Sequence, residues 1–205
     1  RQMCIRDSSY IFDDFTKKQL DTFTRVAAEL EAGLEYKVIK HILNSAGIER
    51  FTDYQMDMVR LGIGLYGVSA SGQKGLRNIS TLKTTILQIQ NVPAGDSIGY
   101  SRMSYVKRDS RIAIIPIGYA DGLDRHFSNG GGEVVINGHR CPIIGNICMD
   151  ACMIDVTDTD AHEGDSVIIF GEELPVSELS DKLKTIPYEI LTSISPRVKR
   201  VYYRE

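Results

Sequence analysis

The sequence predicts two architectures in series, a parallel α/β piece and then an all-β domain. Three observations carry this prediction. Between residues 15 and 66 an amphipathic helix precedes two strand-like runs with a short helix between them, the order of a parallel β/α fold. After the connector that ends near residue 78, no helical periodicity recurs for about a hundred residues, long against the ordinary helical share. Within that gap, apolar runs alternate with turns rich in Gly, Pro and Asn, as in a small barrel or sandwich.

A chain of 205 residues with 42% hydrophobic content can build one large core or two small ones. Its net charge of −3 and scattered basic residues leave no electrostatic footprint for nucleic acid. The longest uncharged apolar run, Ile112 to Ala120, is too short to span a bilayer and contains Pro116. The opening RQMCIRDSS lacks the apolar stretch of a secretory leader. Neither nucleic acid nor membrane is expected as a partner. Four cysteines do not make a disulfide scaffold at this length. Cys141, Cys148, Cys152 and His139 raise the question of zinc, but there is no CxxC pair, and Cys148 and Cys152 lie in an apolar run. We expect no metal, and buried free thiols suited to a reducing cytoplasm.

In chain order, residues 15–33 read as a helix, with Leu20, Phe23, Ala27, Leu30 and Leu34 on one face. Thr16 and Gln19 have capping-box spacing, and Gly33 suits a left-handed C-terminal position. Tyr36 to Leu43 reads as a strand, NSAGIERF as a turn and short helix capped by Ser45, and Met58 to Tyr66 as a second strand. Val68 to Asn78 is a connector, so the domains are placed at 1–75 and 76–205. Two parallel strands cannot close a barrel, so the first domain looks cut from something larger.

In the second domain, Thr81 to Val92 reads as one strand, and residues 93–96 and Gly164-Asp165 as turns into further strands. Asn137-Gly138 between residues 133–136 and 139–144 is a strong type I′ hairpin signal. Gly130 to Gly132 reads as a mobile loop rather than a phosphate cradle, since no helix follows. Gly145 to Val156 is an apolar strand-like run with Asp150 in its middle, a costly carboxylate unless it is paired or points to water. Ser177 to Leu183 reads as a helix capped by Ser177, and Val198 to Tyr203 as the last strand.

Several residues could carry chemistry, and each has a plainer alternative. Asn44-Ser45, where a strand gives way to a helix, is either an ordinary cap or an anion site built on exposed N–H groups. Arg60 in an apolar strand either snorkels to water or meets an acceptor inside. Gly62 and Gly64 allow a flat or bulky ligand to approach the backbone. A cap, an inward arginine and small residues at strand ends together suit a phosphorylated cofactor. Tyr100 and Tyr119 are either core tyrosines with satisfied hydroxyls or, with a cation nearby to lower the pKa, bases.

HILNSAGIERF, DMVRLGIGLYG, IGYSRMSY, IIPIGYADG, IIGNICMDACMIDV and PYEILTSISPRVKRVY, in this order, resemble the C-terminal half of bacterial alanine racemase over nearly all of residues 37–205. The resemblance implies a fold-type III pyridoxal phosphate enzyme. Residues 1–75 would be the remnant of a β/α (TIM-type) barrel, residues 76–205 an antiparallel β-barrel-like domain, and the assembly a head-to-tail homodimer. It also implies an isomerase that interconverts L- and D-alanine through a pyridoxal 5'-phosphate aldimine, supplying D-alanine for peptidoglycan.

By position, the resemblance assigns Asn44, Ser45, Gly62 and Ile63 to the cofactor phosphate and Arg60 to the pyridine nitrogen. Tyr100 matches the catalytic tyrosine, which reaches the partner's active site. Met149 matches the residue whose backbone N–H holds the substrate carboxylate, with Asp150 supporting it. Tyr119 and Arg125 match the narrow approach that favours a small amino acid.

There are departures. No segment resembles the surroundings of the family's cofactor lysine, and Lys40 lies in the wrong strand to replace it. Pro196 stands where some relatives have a phosphate-contacting tyrosine. RQMCIRDSSYIF matches nothing in the family, and residues 1–9 read as foreign sequence. The fragment alone is therefore expected to be inactive. The alternatives are another fold-type III amino acid racemase or decarboxylase, the latter disfavoured by Arg60, and an inactive dimerisation or docking β module.

Overall fold

The computed structural model describes residues 14–34, 36–72, 75–99, 102 and 104–203. The opening segment and Tyr100 lie outside the described residues. The chain divides into two compact units, Arg1–Arg77 and Asn78–Glu205.

In the first unit, helix α1 (Asp14–Gly33) buries Thr16, Leu20 and Ala27. Only part of its apolar stripe is covered, because Leu30 remains 54% exposed. The helix begins before Thr16, so Thr16 sits in its first turn and does not cap it, and Gly33 is its last helical residue. Helix α2 (Ser45–Arg50) forms as expected, but the cap is Asn44 and not Ser45. Asn44 Oδ1 accepts from the Gly47 N–H at 3.0 Å, while the Ser45 hydroxyl turns elsewhere.

The two predicted strands of this unit are extended segments without a ladder. The Lys40 carbonyl accepts from the Asp57 and Met58 N–H groups and the Leu43 carbonyl from that of Arg60, so partners advance in the parallel sense. Such sparse bonding is too little for a strand pair, which needs an evenly repeated ladder. The second segment also ends early, curling into a 3-10 turn at Ile63–Tyr66.

The second unit is a seven-stranded antiparallel sheet plus a small hairpin. Its strands are β1 (Leu82–Thr85), β2 (Gln88–Val92), β3 (Ser97–Ile98), β4 (Ser104–Tyr105), β5 (Ser110–Ile115), β6 (Glu133–Ile136), β7 (His139–Ile144), β8 (Cys152–Asp155) and β9 (Ser166–Phe170). The sheet order is β1-β9-β6-β7-β8-β5-β2, with β3-β4 as a separate pair. A flat sheet of that order would hold its edge strands roughly 29 Å apart at about 4.8 Å per step. Yet β1 and β2 are joined by Ile86 and Leu87 alone, a reach of about 10 Å. The sheet must therefore curl until its edges meet.

The predicted single strand 81–92 is broken at that junction. Ile86 hydrogen-bonds towards Asp165 and Leu87 towards Ile114, handing the chain from one edge to the other. Ala113, Ile115, Val134, Ile136, Ile143, Ile154, Val156, Val167 and Ile169 fill the interior. A smaller cluster of Ile98, Val106 and Ile112, with Val92, Ile144 and Met153 against it, seats the β3–β4 hairpin.

The Asn137-Gly138 turn joins β6 to β7, with both residues left-handed (φ 50° and 77°) as a type I′ turn requires. Other expectations fail for tertiary reasons. The Gly130–Gly132 turn is bonded to Ile143, Ser128 and Phe127, and a Cβ on Gly132 would fall 2.6 Å from the Phe127 Cβ, so the glycines serve close packing. Pro175, not Ser177, precedes helix α3 (Val176–Leu183). The predicted last strand at 198–203 is irregular. The chain instead forms an unforeseen helix α4 (Pro187–Ser193), with proline at its first position, where the missing N–H is harmless.

The thiols of Cys141 and Cys152 are buried, and burial pushes them up to about 11 and about 12 respectively. Among the described residues no helix is long and apolar enough to cross a membrane.

Candidate functional site

Candidate residues gather in two places, one in each unit. In the first unit, Ser45 opens α2 and is buried. Its Oγ accepts from the Gly62 N–H at 2.8 Å and from the Gly64 N–H at 3.4 Å. Two backbone donors thus converge on one acceptor, the Ser45 hydroxyl oxygen. Ile63 is buried between those amides. A Cβ on Gly64 would fall 2.8 Å from Leu61 Cδ1, the tip of an exposed side chain with room to turn aside. Arg60 is half-buried, and its Nη2 donates to the Ile42 carbonyl at 2.8 Å, so its charge is held inside the unit and does not snorkel. On the far side of α2, Glu49 accepts from the hydroxyls of Ser69 and Ser71 and the N–H groups of Ala70 and Ser71. Burial pushes the Glu49 carboxyl up, but these bonds together hold it below the ordinary range.

In the second unit the predicted strand 145–156 is regular only over β8. Met149 and Asp150 sit on a turn closed by the Cys148 N–H and the Ala151 carbonyl, at 2.9 Å. Asp150 is thus no buried carboxylate in mid-strand: its side chain is 64% exposed. Opposite lies the loop that carries Tyr119. The Tyr119 and Ala120 N–H groups donate to the Cys148 and Met149 carbonyls, both at 3.0 Å. Gly118 permits this approach, since a Cβ there would fall 2.3 Å from the Cys148 carbonyl oxygen. The Arg125 guanidinium stacks 6.0 Å from the Tyr119 ring centroid, a cation–π contact at a half-exposed site. Both residues line an open groove of about 420 Å³ between this loop and α4.

Two residues that sequence reasoning missed complete this region. Arg197 donates through Nε to Asp121 Oδ1 at 2.7 Å and through Nη2 to Asp150 Oδ1 at 2.6 Å. Asp121 Oδ2 in turn accepts from the Gly118 N–H at 2.9 Å. Burial pushes Asp121 up, but the Arg197 hydrogen bond, the Gly118 amide and the Arg197 charge hold it below the usual carboxylate range. The partners lie 76 and 47 residues from Arg197, and no local spacing marks such pairs. Tyr100, which falls between β3 and β4 in sequence, lies outside the described residues.

Residues 79–202 match the family described as alanine racemase, C-terminal domain. The chain belongs to the alanine racemase family. Residues 3–70 match the family's N-terminal domain as well, so the match reaches into the opening segment expected to match nothing. Alanine racemase 1 of Caldanaerobacter subterraneus subsp. tengcongensis is 42% identical over 199 residues, which is 93% of this chain and 51% of that protein. Among solved structures, the alanine racemase of Bartonella henselae with covalently bound pyridoxal phosphate has a TM-score of 0.86 at 37% identity, over 97% of this chain and 55% of that one. The Bacillus anthracis alanine racemase with bound L-Ala-P has a TM-score of 0.87 at 32% identity, over 98% and 54%. The chain thus spans about half the length of the relatives it matches.

Proposed function

We propose that this chain supplies the cofactor-phosphate site and the substrate-side β domain of a pyridoxal phosphate-dependent alanine racemase, residues 1–75 contributing part of a β/α barrel and residues 76–205 the β domain. The convergence of the Gly62 and Gly64 amides on Ser45, with Arg60 beside them, is the observation that carries the reading. Backbone amides that converge beside a hydroxyl suit a phosphate, whose oxygens would replace the serine oxygen as the amides' acceptor. Asn44 holds the turn that presents Ser45 by capping α2, and Ile63 closes the apolar side.

When bound, pyridoxal phosphate supplies a conjugated ring that spreads negative charge from the substrate Cα. Arg60 faces the ring nitrogen in this reading. Its guanidinium remains charged throughout, and that charge disfavours protonation of the nitrogen. Tyr100 moves a proton at the substrate Cα from the partner subunit of a head-to-tail homodimer. The Met149 N–H holds the substrate carboxylate, and Asp150 supports its turn. Tyr119 and Arg125, stacked together, narrow the approach and favour a small amino acid such as alanine. The free thiols Cys141, Cys148 and Cys152 suit a reducing cytoplasm.

The test is racemisation of L-alanine with added pyridoxal phosphate. The 205-residue chain alone is expected to be inactive; co-refolded with the N-terminal half of the Caldanaerobacter relative, it is expected to turn over. Activity that survives Tyr100→Phe and Arg60→Ala in the mixture, or turnover by the chain alone, overturns the reading.

A further inference from the structure

The Met149 turn can be useful only if its N–H points in a defined direction, and the structure contains a device that sets this direction. A trans peptide holds its C=O and N–H antiparallel. The Cys148 carbonyl is fixed by the Tyr119 N–H, so the Met149 N–H of the same peptide is turned away from the Tyr119 loop. Among the described residues that N–H has no acceptor. The turn is nevertheless a surface feature, with Met149 54% exposed, and besides its own closing bond only the Cys148 and Met149 carbonyls tie its backbone to the Tyr119 loop.

We propose that Arg197 is the positioning residue for the Met149 N–H, tying the Met149–Asp150 turn to the Tyr119 loop by bridging Asp150 and Asp121. A planar guanidinium can grip two carboxylates at a fixed separation, which an ammonium cannot do with the same angular definition. The two ends of the bridge differ in exposure. Asp121 is 13% exposed and bonded to the Gly118 amide, whereas Asp150 is the exposed end, on the turn. Arg197 is itself braced: the Ser195 N–H donates to the Asp121 carbonyl, and Arg200 Nη2 donates to the Ile194 carbonyl. The C-terminal segment therefore acts as a strap across both loops, with Arg197 as its buckle.

This inference rests on the proposed role of Met149 in holding a carboxylate, and two measurements on the full chain separate the two ideas. Residual dipolar couplings of the 15N-labelled protein report the Met149 N–H direction without any ligand. In Arg197→Gln the Met149 coupling is expected to collapse towards zero while those of Val134 and Ile154 are unchanged. Arg197→Lys should restore little of it. Titration with propionate, read at the Met149 amide, should weaken on the order of tenfold in Arg197→Gln, the scale of one charge-assisted hydrogen bond. An unchanged Met149 coupling in Arg197→Gln overturns the positioning role, whatever propionate does. A collapsed coupling in the variant, with no propionate response in the wild type, upholds the positioning and overturns the carboxylate reading.

Discussion

The two units solve the same problem of burial with unequal success. In the β unit each strand of the curled sheet has a partner on either side or, at β1 and β2, a covalent junction that closes the gap, and residues such as Ile115, Val134 and Ile154 are wholly enclosed. In the first unit the extended segments share only scattered bonds, and Phe15, Leu30, Tyr36, Ile39, Leu61 and Leu65 stand exposed. Antiparallel strands joined by hairpins can complete a core with their sequence neighbours. Parallel segments need covering layers from distant stretches of chain. A β domain is thus self-sufficient at a length where a unit of parallel extended segments is not.

The sharpest way to break this comparison is a matched pair of truncations. Ile154→Ala should cost about 2–5 kcal/mol in denaturant unfolding, whereas Leu30→Ala on α1 should stay within about 0.5 kcal/mol. Equal effects would show that the first unit has a core of similar quality. Gly118→Ala comes next. The backbone collision at the Cys148 and Met149 carbonyls should cost about 1–3 kcal/mol and shift the Tyr119 and Ala120 amide resonances. Asn44→Ala removes the α2 cap, worth about 1 kcal/mol, and hydrogen exchange at Ile48 should accelerate about fivefold while β5 through β8 keep their protection.

The smallest expected effect is on pH dependence. Asp121 has a folded value below its ordinary one, so its contribution is fully present above the unfolded carboxylate value near 4 and is lost as pH falls through the lower folded value. Asp121→Asn should therefore flatten the acid limb of the β-unit stability curve and leave its neutral region parallel to wild type. An unaltered acid limb would mean that the Arg197 bridge does not hold Asp121 in solution.

Features readable from the sequence were those whose cause is local. The Asn137-Gly138 hairpin, the α2 helix and the helical stripe of α1 all rest on residues within a few positions of one another. Misreadings fall where a distant partner decides. Gly130 to Gly132 read as mobile because the Phe127 ring and the Ile143 carbonyl that fix them cannot be seen in a Gly-Gly-Gly string. The strand expected over Thr81 to Val92 is two alternating runs that change phase at Ile86-Leu87, and there the chain passes from one sheet edge to the other. Helix α4 is shorter than a periodic signal needs, although Pro187 followed by Glu189 is a start mark that could have been read.

Motif order alone determined the family, because it rests on short segments of fixed chemistry in a fixed sequence. Only the tertiary structure decided that Asp150 is an exposed residue held by Arg197, that the Ser45 hydroxyl turns to the Gly62 amide and leaves the α2 cap to Asn44, and that the β sheet closes on itself. Each of these depends on a through-space distance, and such a distance is set by the packing of the whole unit and leaves no mark in local spacing.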